Sequence, residues 1–320
     1  MKSLSEKKEN RMDVDFNNPN PLIPKEVLFD VTSACNYKCY FCGNQKKEDG
    51  KYIDKELVFR LMREAKEIGT TDIGLYLTGE PFLHKDLAEM ARFGKQLGIE
   101  YIFLSTNGSV ATPEKAKPVL DAGIDSIKFS VNAGTRESYA RVHGRDCFEQ
   151  VISNIKWFSE YRKKAGLQYR IYVSMVQNSK AKDEEAKLED IILSYIDEFD
   201  LRNCSNQGGN MYENNQTENI LKNNLLGSLK EHQFCSKCPD VFSRIGVTPE
   251  GYATACVVDY KKYLIVGDLN KTTIKEAWNS KDYVRLRKKH ISGDLNGIIC
   301  YNCLNNANKA CDRLNPEFIV

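Results

Sequence analysis

Apolar positions along this chain fall into short runs that alternate, from residue 26 onward, with longer stretches of helical period. Runs at 27–31, 73–77, 101–105, 126–131, 169–175 and 199–201 are short and rich in β-branched and aromatic residues, which predicts strands. Between them, apolar residues recur every three or four positions over 55–68, 86–97, 113–122, 147–164 and 184–196, which predicts helices. Gly98, Gly123 and Gly166 stand just past three of these helices, where a chain leaving a helix favours left-handed backbone. Strict alternation of this kind predicts an α/β fold, a parallel sheet covered by helices. Six strands suit an open doubly wound sheet or a partial barrel, and periodicity does not separate the two. In both, ligand sites collect at the carboxyl ends of the strands.

The pattern changes at either end. Residues 1–22 are polar, without the apolar core of a signal peptide, and are expected to form a flexible tail. The alternating region, 23–203, is followed by an asparagine-rich linker at 204–233 that contains Gly208-Gly209. In the next section, 234–313, short strands at 242–248 and 253–258 flank the turn Pro249-Glu250-Gly251, and helices are expected at 274–278 and 283–290. Residues 314–320 complete the chain as a C-terminal tail. With 46 basic and 44 acidic side chains interspersed, the net charge of +2 marks neither a nucleic-acid nor a membrane surface. No apolar run approaches the ~20 residues of a membrane span, and a cytoplasmic location is the expectation.

Eleven cysteines in a chain of this size, clustered at ligand spacings, point to metal or redox cofactors rather than to a disulfide framework, and to oxygen sensitivity. Cys35, Cys39 and Cys42 stand at C-x3-C-x2-C just beyond the first strand. Three thiolates this close can hold three corners of a 4Fe–4S cube, leaving one iron open for chemistry. A partial zinc site is the alternative, although no fourth Cys or His lies nearby.

The stretch Cys35-Asn-Tyr-Lys-Cys39-Tyr-Phe-Cys42 strongly resembles that of the radical S-adenosylmethionine enzymes. The resemblance implies a partial (β/α)6 barrel, a catalytic 4Fe–4S cluster on the three cysteines, and S-adenosylmethionine chelated to the open iron. It implies reductive cleavage of that cofactor by an electron from a flavodoxin or ferredoxin, and hydrogen-atom abstraction by a 5′-deoxyadenosyl radical. Phe41 occupies the family's adenine-side aromatic position, or else packs the loop. Thr78-Gly79-Glu80-Pro81 resembles the Gly-Gly-Glu motif that receives the methionine ammonium, with Thr in place of the first glycine. Ser105 and Asn107, and Ser130 and Asn132, end strands three and four where the family contacts ribose and carboxylate. His143 stands where an arginine is usual, with Arg141 and Arg145 beside it as competing candidates for supporting the cofactor.

Cys238, Cys256, Cys300 and Cys303, with Ile265-Val-Gly-Asp-Leu269 and Ile274-Lys-Glu-Ala-Trp278 between them, resemble the SPASM and twitch extensions of the family. Lysine at 309 breaks the longer two-cluster pattern, so the resemblance implies one auxiliary 4Fe–4S cluster and leaves Cys235 and Cys311 spare, with either as an alternative ligand. A zinc ribbon is the competing reading of the C-x2-C pairs. The single-cluster spacing resembles twitch-type aminocyclitol dehydrogenases and implies oxidation of a small polyol, sugar or aminocyclitol. Epimerisation needs a hydrogen donor, for which Cys204 and Cys147 are candidates, although each also reads as a small buried residue. Peptide modification is a third outcome, and only about 25 residues precede the first strand, too few for a winged recognition domain. A non-enzymatic zinc or iron–sulfur adaptor is the alternative from another class.

Overall fold

The computed structural model describes residues 2–46, 50–213 and 237–318. Strands β1 (Glu26–Phe29), β2 (Asp72–Gly74), β3 (Tyr101–Thr106), β4 (Ser126–Ser130), β5 (Arg170–Val176) and β6 (Glu198–Arg202) lie side by side in chain order, all parallel. The register stacks like with like. Val27 pairs with Ile73 and Ile73 with Ile102, and Ile127 pairs with Leu104 and Ile171. These residues share the face that packs under the helices, and each is at most 1% exposed. The opposite face carries Leu28, Tyr101 and Phe103 as a second apolar cluster, and Lys128 and Tyr172 as polar neighbours in register. That face is the inside of the barrel.

The helices form where the apolar period predicts. Helix α2 (Lys55–Glu67) is N-capped by Asp54, whose carboxylate accepts the Leu57 N–H at 3.0 Å. It buries Val58, Leu61, Met62 and Ala65, spaced to share one face. Leu61→Ala would cost about 2–5 kcal/mol as a transfer and cavity loss. Helices α3 (Leu87–Gln96), α4 (Pro113–Asp121), α6 (Phe148–Ala165) and α7 (Glu185–Ile192) continue the layer. Gly98, Gly123 and Gly166 have positive φ, as expected of helix ends. The polar helix α5 (Arg136–His143) was not legible in the periodicity, because Tyr139, Val142 and His143 are its large buried residues within a short span.

Residues 1–22 are not a free tail. Ser3 and Glu6 form a reciprocal capping box that starts α1 (Leu4–Met12), and α1 lies across the amino ends of the strands. Lys2 pairs with Asp72 of β2 at 2.5 Å, the Leu4 N–H donates to Glu198 of β6, and Lys8 reaches Asp200 at 3.0 Å. Further along, the carbonyl of Pro21 accepts from the Trp278 indole at 2.7 Å, and that of Pro19 accepts from buried Arg287 at 3.3 Å.

The C-terminal section is not a separate sheet either. After α8 (Asp240–Ser243), β7 (Arg244–Val247) pairs in parallel with β1, and β8 (Tyr252–Thr254) and β9 (Ile265–Asp268) add antiparallel strands beyond it. The sheet order is therefore β6-β5-β4-β3-β2-β1-β7-β8-β9. The expected strand at 242–248 begins two residues later, because α8 takes up Phe242 and Ser243. Helices α9 (Ile274–Trp278), α10 (Lys281–Ser292) and α11 (Ile299–Leu304) follow. Leu314 and Phe318 also dock: the Leu314 N–H donates to the Tyr263 carbonyl at 2.7 Å, and the Phe318 ring sits against Tyr252. Most of the expected linker, and Cys235, lie outside the described residues.

Candidate active site and metal centres

The loop bearing Cys35, Cys39 and Cys42 leaves the carboxyl end of β1 and is braced from four directions. From β2, Gly79 presses its backbone against the loop: a Cβ there would meet the carbonyl oxygens of Thr32 and Ala34 at 2.1 and 2.4 Å, which only glycine avoids. The adjoining Glu80 N–H donates to Ala34 at 2.8 Å. From β3, Asn107 donates to Asn36 at 2.8 Å, and Asn36 donates to Ser109 at 2.8 Å. From α5, the carbonyls of Val142 and His143 accept the N–H groups of Tyr40 and Lys38. From the segment after β6, the Gln207 amide donates to the Phe41 carbonyl at 2.8 Å and accepts the Gly43 N–H at 3.1 Å.

Glu80 is buried, yet its carboxylate accepts from Thr106 Oγ1 and the Asn107 N–H, both at 2.7 Å, and from the Phe82 N–H. Burial outweighs these donors and pushes its carboxyl up to about 7. Its role here is to tie the ends of β2 and β3 together. Thr78 donates through N–H and hydroxyl to Asp30 at the end of β1. Asn44 donates to the carbonyls of Ser33 and Thr78 at 3.0 and 2.8 Å, while its own Oδ1 is buried with no partner among the described residues. That acceptor, beside the Thr78 carbonyl, fits a ligand bringing an ammonium donor.

The sequence-predicted residues divide. Ser105 and Ser130 lie on the inner parity of β3 and β4, in line with Lys128 and Ser174. Asn107 and Asn132 are instead committed to bracing: the Asn132 Oδ1 accepts the Val176 N–H at 2.8 Å. Phe41 is buried in the main core, edge-on to Tyr40. His143 lies behind the loop, with Nδ1 3.0 Å from Cys39 Sγ and Nε2 accepting the Asn132 N–H at 3.3 Å. That acceptor role puts the imidazole proton on Nδ1, facing the sulfur. Burial pushes His143 down to about 3, so the ring is neutral. Arg141 and Arg145 are exposed. Neither proposed hydrogen donor lines the barrel cavity: Cys204 is buried in the main core, and Cys147 packs against it from the start of α6.

Burial holds the thiols of Cys39 and Cys42 above their ordinary range, and the Cys42 and Cys35 sulfurs raise Cys39 further by like charge. Three sulfurs gathered this way become thiolates only with a cation among them, a donor set that fits an iron–sulfur cluster. The second set is scattered in sequence but not in space. Burial raises Cys238, Cys256 and Cys300, with Cys303 adding to each; Cys238 also raises Cys300, and Cys300 raises Cys256. Cys311 stands aside, accepting from Asn302 at 3.1 Å. Among the described residues no three such side chains close around a single ion.

Sequence reasoning missed Tyr260. Its ring lies on Gly43, where a Cβ would approach to 2.5 Å, and its hydroxyl is 3.8 Å from Cys42 Sγ. Nothing local in the sequence marks it, since the contact spans the two halves of the chain. Tyr260 also borders a cavity of about 290 Å³ inside the barrel, which runs past Tyr76, Phe103 and Lys128 to Lys7 and Arg11 of α1.

Residues 29–178 match the radical SAM superfamily, and residues 235–304 match an iron-sulfur cluster-binding domain, SPASM. The chain belongs to the radical SAM enzyme superfamily. Within it, the second match makes this a protein with a C-terminal SPASM domain. A probable GTP 3′,8-cyclase of Saccharolobus solfataricus is 35% identical over 133 residues, 41% of this chain and 42% of that one. The chain thus matches about two-fifths of the length of such curated relatives. The crystal structure of BtrN in complex with AdoMet and 2-DOIA is similar in fold, with a TM-score of 0.58 at 18% identity over 91% of this chain and 97% of that one. Streptococcus suis SuiB bound to precursor peptide SuiA gives 0.68 at 15% identity, over 96% and 74%. Among the described residues no helix is long and apolar enough to cross a membrane.

Proposed function

We propose that this chain cleaves S-adenosylmethionine reductively and abstracts hydrogen from a small polyhydroxylated substrate held inside the barrel, with dehydrogenation the favoured outcome. One observation carries the reading: a single cavity runs from Tyr260, in contact with Cys42, down the barrel interior to a floor closed by α1. When bound, the cluster on Cys35, Cys39 and Cys42 and its cofactor would supply a carbon-centred oxidant at the cost of one electron from a flavodoxin or ferredoxin, and an auxiliary cluster on Cys238, Cys256, Cys300 and Cys303 would accept the second electron from the substrate. The chain's own residues do the positioning. Gly79, Glu80, Asn44 and Asn107 hold the cysteine loop at a fixed height above the strands. Ser105, Ser130 and Ser174 present hydroxyl groups on the inner parity at the carboxyl end, suited to a ribose or polyol. Tyr76, Phe103 and Leu28 line the cavity with apolar surface, and α1 excludes water from below. A cavity of this volume suits a small molecule.

The test is anaerobic loading with iron and sulfide, followed by assay with dithionite. About eight irons per chain, two cubes of four, and 5′-deoxyadenosine are expected, and a Cys35→Ala/Cys39→Ala/Cys42→Ala variant should form none. Tightly bound zinc without cleavage overturns the activity. With a substrate found, product two hydrogens lighter supports dehydrogenation, whereas solvent deuterium incorporated without net oxidation indicates epimerisation.

A further inference from the structure

We propose that the barrel interior is an oxyanion site, in which Lys128 and Lys7 receive a carboxylate or phosphate carried by the substrate. This rests on the reading of the interior as the substrate cavity and narrows the substrate class. Six basic side chains line that cavity against only two acidic ones, Glu26 and Asp240. Most of the cations are already matched. Arg244 lies 2.9 Å from Glu26 and 3.4 Å from Asp240, which Arg11 also approaches at 3.8 Å. Lys8 and Arg202 share Asp200 at 3.0 and 2.5 Å.

Lys7 and Lys128 remain. Among the described residues neither ammonium has a carboxylate within ion-pair distance; Lys7 instead stands 3.3 Å above the centre of the Phe103 ring. Lys128 sits mid-strand on β4, in register between Ser105 and Tyr172. An enclosed cation without a counter-charge is costly, and the cost falls away when an anion of fitting size enters. Burial pushes Lys7 down to about 7 and Lys128 well below the usual lysine range. Arg244 and Lys2 oppose the charge on Lys7 while Glu26 and Asp72 favour it; Arg202, Lys7 and Arg11 oppose that on Lys128, with Asp200 favouring it. Carboxylates stand near both groups, yet across the cavity lining the cations outnumber them and neither ammonium is paired. A neutral polyol supplies no negative charge, and a protonated amine is repelled by the basic side chains of the lining.

The experiment is calorimetric titration of the reconstituted protein, saturated with S-adenosylmethionine, with inorganic phosphate, gluconate and neutral myo-inositol. Phosphate, gluconate or both should bind, and inositol should bind at least tenfold more weakly. Lys128→Met should weaken anion binding at least tenfold, Lys128→Arg should restore it to within about threefold, and Lys275→Met on the outer surface should leave it unchanged. Phosphate alone binding identifies a phosphate ester, and gluconate alone a sugar acid. Anion affinity unchanged in Lys128→Met, or inositol binding as tightly as either anion, overturns the proposal. If Lys128→Met loses its near-ultraviolet circular dichroism, Lys7→Met takes its place with the same criteria. Cleavage measured in the same samples separates the two ideas: cleavage without anion binding removes the oxyanion site alone, and anion binding without cleavage removes the radical activity alone.

Discussion

The two ends of the barrel interior are built from opposite chemistry. At the carboxyl end, short amides, hydroxyls and the buried carboxylates of Asp30 and Glu80 bond one another and hold a loop of thiols in place. At the amino end, long charged side chains on and just before a polar helix cross the opening; Lys2 and Lys8 end in ion pairs with the strands, whereas Lys7 ends over an aromatic ring. The upper end has short side chains whose hydrogen bonds have little room to move. The lower end has flexible lysines whose charge needs an answer from elsewhere. The difference teaches where precision is placed: where a radical is aimed, misplacement of about 1 Å can cost ~100-fold in rate. Where a ligand group is merely retained, adaptable side chains suffice.

Gly79→Ala should break the comparison most sharply at the upper end. The added Cβ collides with two backbone oxygens of the cysteine loop rather than with a side chain able to turn away. The loop must shift bodily, and cofactor cleavage should fall by roughly 100-fold or more. Iron content of the catalytic site, followed by its electron paramagnetic resonance signal, should fall with it. Wild-type rates of cleavage in this variant would show that the loop height is not what the β2 end sets.

Asn44→Ala tests the same end more gently. It leaves the Ser33 and Thr78 carbonyls without their amide donor, a loss of about 1–3 kcal/mol for buried groups. It also removes the unpartnered Oδ1 placed to receive an ammonium. Affinity for S-adenosylmethionine, measured by calorimetry on the cluster-loaded protein, should weaken by about tenfold, in line with one lost hydrogen bond to a charged group. An unchanged affinity with a lowered melting temperature would assign Asn44 to loop bracing alone.

The contrast between the ends also explains what the sequence disclosed. The upper end was legible because its chemistry is local: three cysteines within eight residues, and turn motifs at strand ends where α/β folds keep their sites. Even there, the roles of Asn107, Asn132 and His143 changed once their partners were known, since a short polar residue at a strand end reads the same whether it meets a ligand or a neighbouring loop. The four C-terminal cysteines were legible as a set through their spacing, yet nothing local announced that β7 would join β1 and continue the barrel sheet. The lower end was hidden because α1, Leu-Ser-Glu-Lys-Lys-Glu-Asn-Arg-Met, has no buried apolar stripe and docks by charge. One signal was present: Ile127 and Phe129 face the helices, so Lys128 between them had to point inward.

Lys7→Met should give the smallest effect, and its sign is diagnostic of the lower end. The Lys7 ammonium is depressed by burial to about 7, whereas in the unfolded chain it titrates near 10.5. Between those values the unfolded state binds more protons than the folded one, so this group makes stability rise with pH across that window. At and below pH 7 the penalty of the enclosed charge is fully present; toward pH 10.5 it has gone. Methionine keeps much of the volume and removes the charge. In urea melts, Lys7→Met should therefore be more stable than the parent by roughly 1–2 kcal/mol at pH 7, a value reduced for the open side of the cavity, and the gain should shrink steadily as pH is raised toward 10. The same variant should leave cofactor cleavage without substrate within about twofold, because the Lys7 ammonium rests on the Tyr101 and Phe103 rings and on no residue that braces the cysteine loop. A gain independent of pH would mean that packing over Phe103, and not the unanswered charge, sets the energetics of the barrel floor.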